Sequence, residues 1–437
     1  MKPYLSAPEF DLWHGDCIEV MRTLPDNSVD SVVTDPPYGL EFMGKSWDKL
    51  QTAQWRGERE KWQDGLVENH IAHRLAKGPR YGNEPGAMQE WHSNWATEAL
   101  RVLKPGGHLL AFGGTRTAHR LACAIEDAGF DIRDSIAWMY GSGFPKSLDV
   151  SKAIDKAAGA EREVVGGYKG ASNIGKGSTN SYITQEAGRA TDVIITAPAT
   201  DAAKQWQGWG TALKPAFEPI VVARKPLIGT VAENVLAHGT GALNIDGCRI
   251  GTTDDLSFKN TEPVTTNDIY GKGLGVSSGR SAELAGRWPA NVILDESQAA
   301  ELDRQSGVTT SQGGRIGKKD VSNVDFGLAG RYEKGDPGFG DIGGASRFFY
   351  TAKANSSERP NVDGSAHPTV KPLDLMRYLV RLVTPPGGVV LEPFGGSGTT
   401  IEACVIEGFR CIAIELTEEY LTLIAQRLTK PIQVALL

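Results

Sequence analysis

Cysteine is scarce in this chain: five among 437 residues, at positions 17, 123, 248, 404 and 411, with no Cys-x-x-Cys pair. An odd, widely spaced set argues against a disulfide framework and a zinc site, and suits a reducing cytoplasm. No metal is expected elsewhere either, since His70 and His73 stand at i, i+3 without a matching Glu or Cys. No run of 18 apolar residues occurs, so neither a transmembrane helix nor a membrane partner is expected. The opening MKPYLSAPEFDLW lacks the positive-then-apolar order of a signal peptide, which argues against secretion. Positive charge is also short, with 46 Lys/Arg against 53 Asp/Glu for a net charge of −7. Nucleic-acid binders usually carry a basic footprint, because neutralising phosphates releases counterions. Composition alone therefore leans against DNA. Residues 143–225 nonetheless hold 11 Lys/Arg and 8 Asp/Glu, so a local basic face is compatible with the acidic whole.

What is present is ample core material, 40% apolar residues, in a chain longer than one comfortable domain. Two stretches share a pattern: LKPGGHLLAFGGTRTAHRLACAIEDAGFDIRDSIAW (103–138) and VTPPGGVVLEPFGGSGTTIEACVIEGFRCIAIEL (383–416). In each, a Pro-Gly-Gly stop follows a helix, a short apolar run comes next, and a Gly-Gly turn opens another helix. That helix closes at Gly-Phe before the next apolar run. Glycine ends helices in the left-handed conformation, and short bounded apolar runs read as buried strands. Helix–strand–helix–strand, twice, predicts an α/β fold with a doubly wound, mostly parallel sheet.

A third strand is expected at Val29–Thr34. Residues 44–95 hold five of the ten tryptophans; the first part reads as a long surface loop. Met88–Lys104 reads as a helix, with Trp91, Trp95, Ala99 and Leu103 four apart. Residues 139–350 change character, punctuated by Gly, Ser, Thr and Asn as in SNIGKGSTNSYITQ and GLGVSSGRS. Apart from a strand at Phe217–Ala223 this stretch reads as too irregular to continue the sheet. The expected division is 1–140, an insert at 141–345 with a sheet strand near 217–225, and 346–437.

Two motifs carry chemistry. Asp35-Pro36-Pro37-Tyr38 directly follows a strand. Prolines end the strand and force extended conformations before them, fixing a carboxylate, the Pro36 carbonyl and an aromatic ring at a sheet edge where ligands bind. Two such acceptors can take both N–H groups of an exocyclic amino nitrogen and free its lone pair, while Tyr38 stacks on an extruded base. The competing reading is an ordinary Asp-Pro-Pro turn.

The second motif is Glu392-Pro393-Phe394-Gly395-Gly396-Ser397-Gly398-Thr399, a glycine-rich turn between strand and helix that lets a ligand approach the backbone. It has no Gly-Lys-Ser/Thr, against a nucleotide triphosphate, and no third glycine of G-x-G-x-x-G, against a dinucleotide. A cofactor with a ribose and no phosphate remains. Glu415 ends the following strand, where an acid accepts ribose hydroxyls. The corresponding places in the first repeat fall near Ala111 and Ala137, so the cofactor belongs to the second.

Taken together, these motifs resemble the β group of amino DNA methyltransferases, in which the catalytic tetrapeptide precedes the cofactor turn. The resemblance covers roughly 10–40, 95–140, 215–227 and 345–430. It implies a Rossmann-like methyltransferase fold, S-adenosylmethionine as cofactor, double-stranded DNA as partner, and a large inserted target-recognition region. It also implies that Asp16, in Trp13-His14-Gly15-Asp16-Cys17, contacts the cofactor's adenine. His367-Pro368-Thr369-Val370-Lys371-Pro372 matches a family segment expected against the methionine part, through Thr369 and Lys371. GTGALNIDGCRI (239–250), GRWPANVILD (286–295) and RFFYTAKA (347–354) resemble methyltransferases common in phages and prophages, without an assigned role. The family more often has Asp where this chain has Glu392. The expected reaction is methylation of adenine N6 in the cytoplasm of a bacterial or phage-infected cell. The rivals are cytosine N4, a protein glutamine methyltransferase and an inactive DNA-binding module. A homodimer is left open, Trp138 is expected in the core, and Lys353 is balanced between phosphate contact and solvation.

Overall fold

The computed structural model describes residues 2–38, 85–141, 143, 147–169, 192–251, 286–310, 342–353, 361–362, 365–366 and 369–429. The expected loop with His70 and His73, the runs SNIGKGSTNSYITQ and GLGVSSGRS, and His367 and Pro368 lie outside them.

Among the described residues ten strands form one sheet: β1 Leu5–Ala7, β2 Phe10–His14, β3 Val29–Thr34, β4 Leu103–Phe112, β5 Asp131–Met139, β6 Phe217–Arg224, β7 Val292–Asp295, β8 Tyr350–Ala352, β9 Val389–Glu392 and β10 Arg410–Glu415. Their order across it is β1-β2-β10-β9-β3-β4-β6-β5-β7-β8. All are mutually parallel except the edge strand β1 and β6, which runs antiparallel between β4 and β5. The helices are α1 Cys17–Met21, α2 Pro85–Val102, α3 Ala118–Asp127, α4 Val150–Ala157, α5 Asp201–Gln205, α6 Val231–His238, α7 Glu296–Ser306, α8 Leu373–Val383, α9 Thr399–Ile406 and α10 Glu418–Thr429.

Successive side chains of a strand point to opposite faces, and the core divides accordingly. Val33, Leu110, Val390 and Ala413 pack with α8, α9 and α10 in one buried cluster. Their neighbours Val32, Leu109, Leu391 and Ile412 pack with α1, α2 and α3 in the other. Helices therefore cover both faces, the doubly wound arrangement expected. Both repeats are present, as α2–β4–α3–β5 and α8–β9–α9–β10. Gly129 (φ 106°) and Gly408 (φ 75°) follow α3 and α9 in conformations that L side chains rarely adopt.

Two expectations need correction. The α2 helix stops at Val102, not Lys104, and Leu103 opens β4. Pro105 removes a backbone donor and pushes Lys104 into extended geometry. The sheet also does continue into the irregular stretch, because β7 pairs in parallel with β5, and β8 with β7. Runs of four and three residues are too short for periodicity to reveal. GTGALNIDGCRI packs on α8: Asn244 N donates to Leu382 O at 2.9 Å, and Cys248 is buried in the core.

The described residues of 147–214 contribute no strand to this sheet. They contain α4, α5 and an antiparallel hairpin of Val164–Lys169 with Asp192–Thr196. The buried Asp155 ties them together, accepting from Ala199 N (3.0 Å), Thr200 N (3.0 Å) and Arg162 Nη1 (2.6 Å). Among the described residues no helix is long and apolar enough to cross a membrane.

At the centre lie β9 and β3, paired in parallel. The chain leaves β9 for β10 on one side and β3 for β4 on the other. Their carboxyl ends thus flank a topological switch point, where open α/β sheets bind ligands.

Candidate active site

A cavity of about 880 Å³ opens at that switch point. Every residue singled out from the two motifs, together with Asp16, Thr369, Lys371 and Glu415, lines it except Gly398. Gly398 (φ 78°) instead starts α9, with Ile424 so close that a Cβ would lie 3.0 Å from its Cγ2.

The turn after β9 is braced from within. The buried Glu392 accepts from the Thr34 and Thr400 hydroxyls, the latter at 2.6 Å, and from Phe394 N at 3.1 Å. Burial pushes its carboxyl up to about 8 against those hydrogen bonds, with Asp35 adding to the rise. Glu415 grips the other side: Oε2 accepts from Gly396 N and Oε1 from Thr417 N, each at 2.7 Å. Burial raises its pKa as well. Glu415 also lines the cavity. Asp16 caps α1, its Oδ1 accepting from Ile18 N (2.9 Å) and Glu19 N (3.2 Å). Phe394 packs against Trp91 and Trp95, with centroids at 5.7 and 5.5 Å, and Trp91 also lines the cavity.

Around Asp35 the side chains form a polar cluster. Lys371 Nζ lies 2.6 Å from Asp35 Oδ2 and 3.3 Å from Glu218 Oε2, over the Phe112 ring at 4.8 Å from its centroid. Tyr38 OH is 2.9 Å from Asp35 Oδ1 and 3.0 Å from Glu218 Oε2. Burial, Asp35 and Glu218 all raise the Tyr38 pKa, so its hydroxyl keeps its proton. Burial disfavours the Lys371 ammonium, but the two carboxylates more than offset this and its pKa rises. Lys371, expected against a cofactor's methionine part, lines the cavity with its ammonium at Asp35 and Glu218. Sequence reasoning missed Glu218, the second residue of β6, and Tyr140, whose pKa is pushed up to about 12 by burial and Glu218. Trp138 is buried in the core beside Phe112, as expected. The Lys353 side chain is exposed and does not line the cavity.

Comparison with known proteins finds similarity to DNA methyltransferases. The type II methyltransferase M.HindIII of Haemophilus influenzae is 26% identical over 240 residues, 53% of this chain and 64% of its own length. M.BamHI of Bacillus amyloliquefaciens is 26% identical over 112 residues, 26% of this chain and 19% of its own. The chain thus spans less than two thirds of either relative. The solved PvuII DNA methyltransferase, described as cytosine-N4-specific, is 14% identical with a TM-score of 0.44, covering 98% of this chain and 90% of its own. Residues 29–427, well over half of the chain, match the N6/N4 DNA methylase family, and the chain belongs to that family.

Proposed function

We propose that this protein transfers a methyl group from S-adenosylmethionine to N6 of an adenine flipped out of double-stranded DNA. The observation that carries the reading is the meeting of Asp35–Tyr38 and the Glu392–Glu415 turn in one cavity. The turn suits this cofactor: Gly395 and Gly396 line the cavity without side chains, and Glu415 beside them brings a carboxyl for ribose hydroxyls. Asp16 has Oδ2 free of its capping bonds for the cofactor's adenine, and Thr369 is assigned to the methionine part. Glu392 keeps the turn in shape.

When bound, S-adenosylmethionine supplies an activated methyl group on a sulfonium. The chain's own residues do the rest. Asp35 and the Pro36 carbonyl accept the two amino N–H groups of the base, countering delocalisation of its lone pair. Pro37 fixes the turn, and Tyr38 offers its ring to the face of the extruded base. Positioning is the main catalytic contribution. A protein glutamine substrate would leave the unit at 147–214, which supplies Ala212, Leu213 and Lys214 to the cavity wall, without a purpose. Methyl-labelled cofactor offered with plasmid DNA or with protein tests the reading; label in DNA supports it, and label only in protein overturns it.

A further inference from the structure

We propose that Glu218 is a positioning residue for Asp35, acting through Lys371 and Tyr38. The inference rests on the methyltransferase reading above and adds a group that neither motif contains.

Topology brings Glu218 to the site. Because β6 runs antiparallel between β4 and β5, its first residues reach the sheet edge where its neighbours end, with Glu218 opposite Trp138. There a single ammonium bridges two carboxylates, Lys371 Nζ lying 2.6 Å from Asp35 and 3.3 Å from Glu218. The Lys371 side chain is 9% exposed, against 22% for Asp35 and 20% for Glu218, so water screens the cluster poorly.

Asp35 must offer an acceptor to the target amino group, yet Lys371 and Tyr38 both donate toward it. Glu218 competes for both donors. It draws on Lys371 in competition with Asp35, its Oε2 lying 3.3 Å from Nζ, and it gives the single proton of the Tyr38 hydroxyl a second acceptor 3.0 Å away. Without that competitor, Lys371 and Tyr38 turn fully onto Asp35 and cover the oxygens the amino group needs. Glu218 therefore acts on the geometry of the transfer step rather than on binding, and its loss belongs in kcat.

The test uses the full chain and unmethylated plasmid DNA of mixed sequence, with four variants: Glu218→Gln, Glu218→Asp, Lys371→Met and the Gln/Met double. Glu218→Gln is expected to lower kcat on the order of 100-fold, the cost of a misplaced catalytic group. KM for DNA, the Kd for S-adenosylmethionine by calorimetry and the melting temperature should stay within a few-fold or a few degrees of wild type. Glu218→Asp should recover part of kcat, and the double variant should lose less than the product of the two single losses, because Glu218 works in part through Lys371. Near-normal kcat in Glu218→Gln, a loss confined to KM for DNA, or additive losses in the double variant would overturn the proposal while leaving the methyltransferase reading intact. A wild-type protein that methylates no DNA would overturn both.

Discussion

Thr34 and Glu392, 358 residues apart in the chain, share a buried hydrogen bond at the carboxyl ends of adjacent strands. Thr34 is the last residue before Asp35, and Glu392 the first of the glycine-rich turn. The bond therefore ties the two motifs to each other. A one-residue slip of either strand would turn Thr34 and Glu392 to opposite faces and break this junction.

Glu392 gives that junction a pH signature. Its folded-state pKa, raised by burial to about 8, lies above the ordinary 4.5. Between those values the folded chain holds a proton that the unfolded chain has released, so stability from this group is present below about pH 4.5 and is lost as pH rises through about 8. Glu392→Gln keeps the shape and removes the titration. Its melting temperature relative to wild type should climb between pH 5 and 8; a constant difference would contradict the assignment.

Asp35→Ala should abolish methyl transfer while the Kd for S-adenosylmethionine stays within a few-fold. Asp35 faces Lys371 and Tyr38 rather than the glycine turn. Near-normal turnover in this variant is the result that removes Asp35 from the chemistry.

Glu415→Ala should weaken cofactor binding by about 1–3 kcal/mol, the range for a buried hydrogen bond to a charged group. The loss has two sources here, since Glu415 also holds Gly396 N and Thr417 N. Unchanged affinity by calorimetry would rule out the ribose role.

Exchanging residues 147–214 for the equivalent unit of a relative with different site preference should change sequence selectivity and spare cofactor binding. The described ones among these residues give no strand to the sheet but contribute to the cavity wall. A larger cut through 228–345 is unsuitable, because it removes β7. Methylation of the same sites after exchange would place recognition elsewhere.

The motifs were legible because their chemistry is local. Asp35-Pro36-Pro37 announces a strand end by proline geometry, and Gly395, Gly396 and Gly398 announce a turn by backbone freedom. The paired repeats were legible because the second helix of each closes at a glycine, Gly129 and Gly408. What escaped depends on distant pairing. EPIVVAR reads as one more buried strand, and nothing within it says that β6 runs antiparallel and carries Glu218 to the catalytic edge. Likewise the Lys371 segment is visible, but its partner, Asp35, lies 336 residues away. Strands β7 and β8 are held by neighbours rather than by their own periodicity.

The central claim is a methylated base of defined chemistry. Plasmid DNA incubated with the protein and S-adenosylmethionine, digested to nucleosides and resolved by mass spectrometry, should yield N6-methyladenine. N4-methylcytosine as the main product would contradict the adenine assignment and leave the site intact. The absence of any methylated nucleoside would contradict the account as a whole.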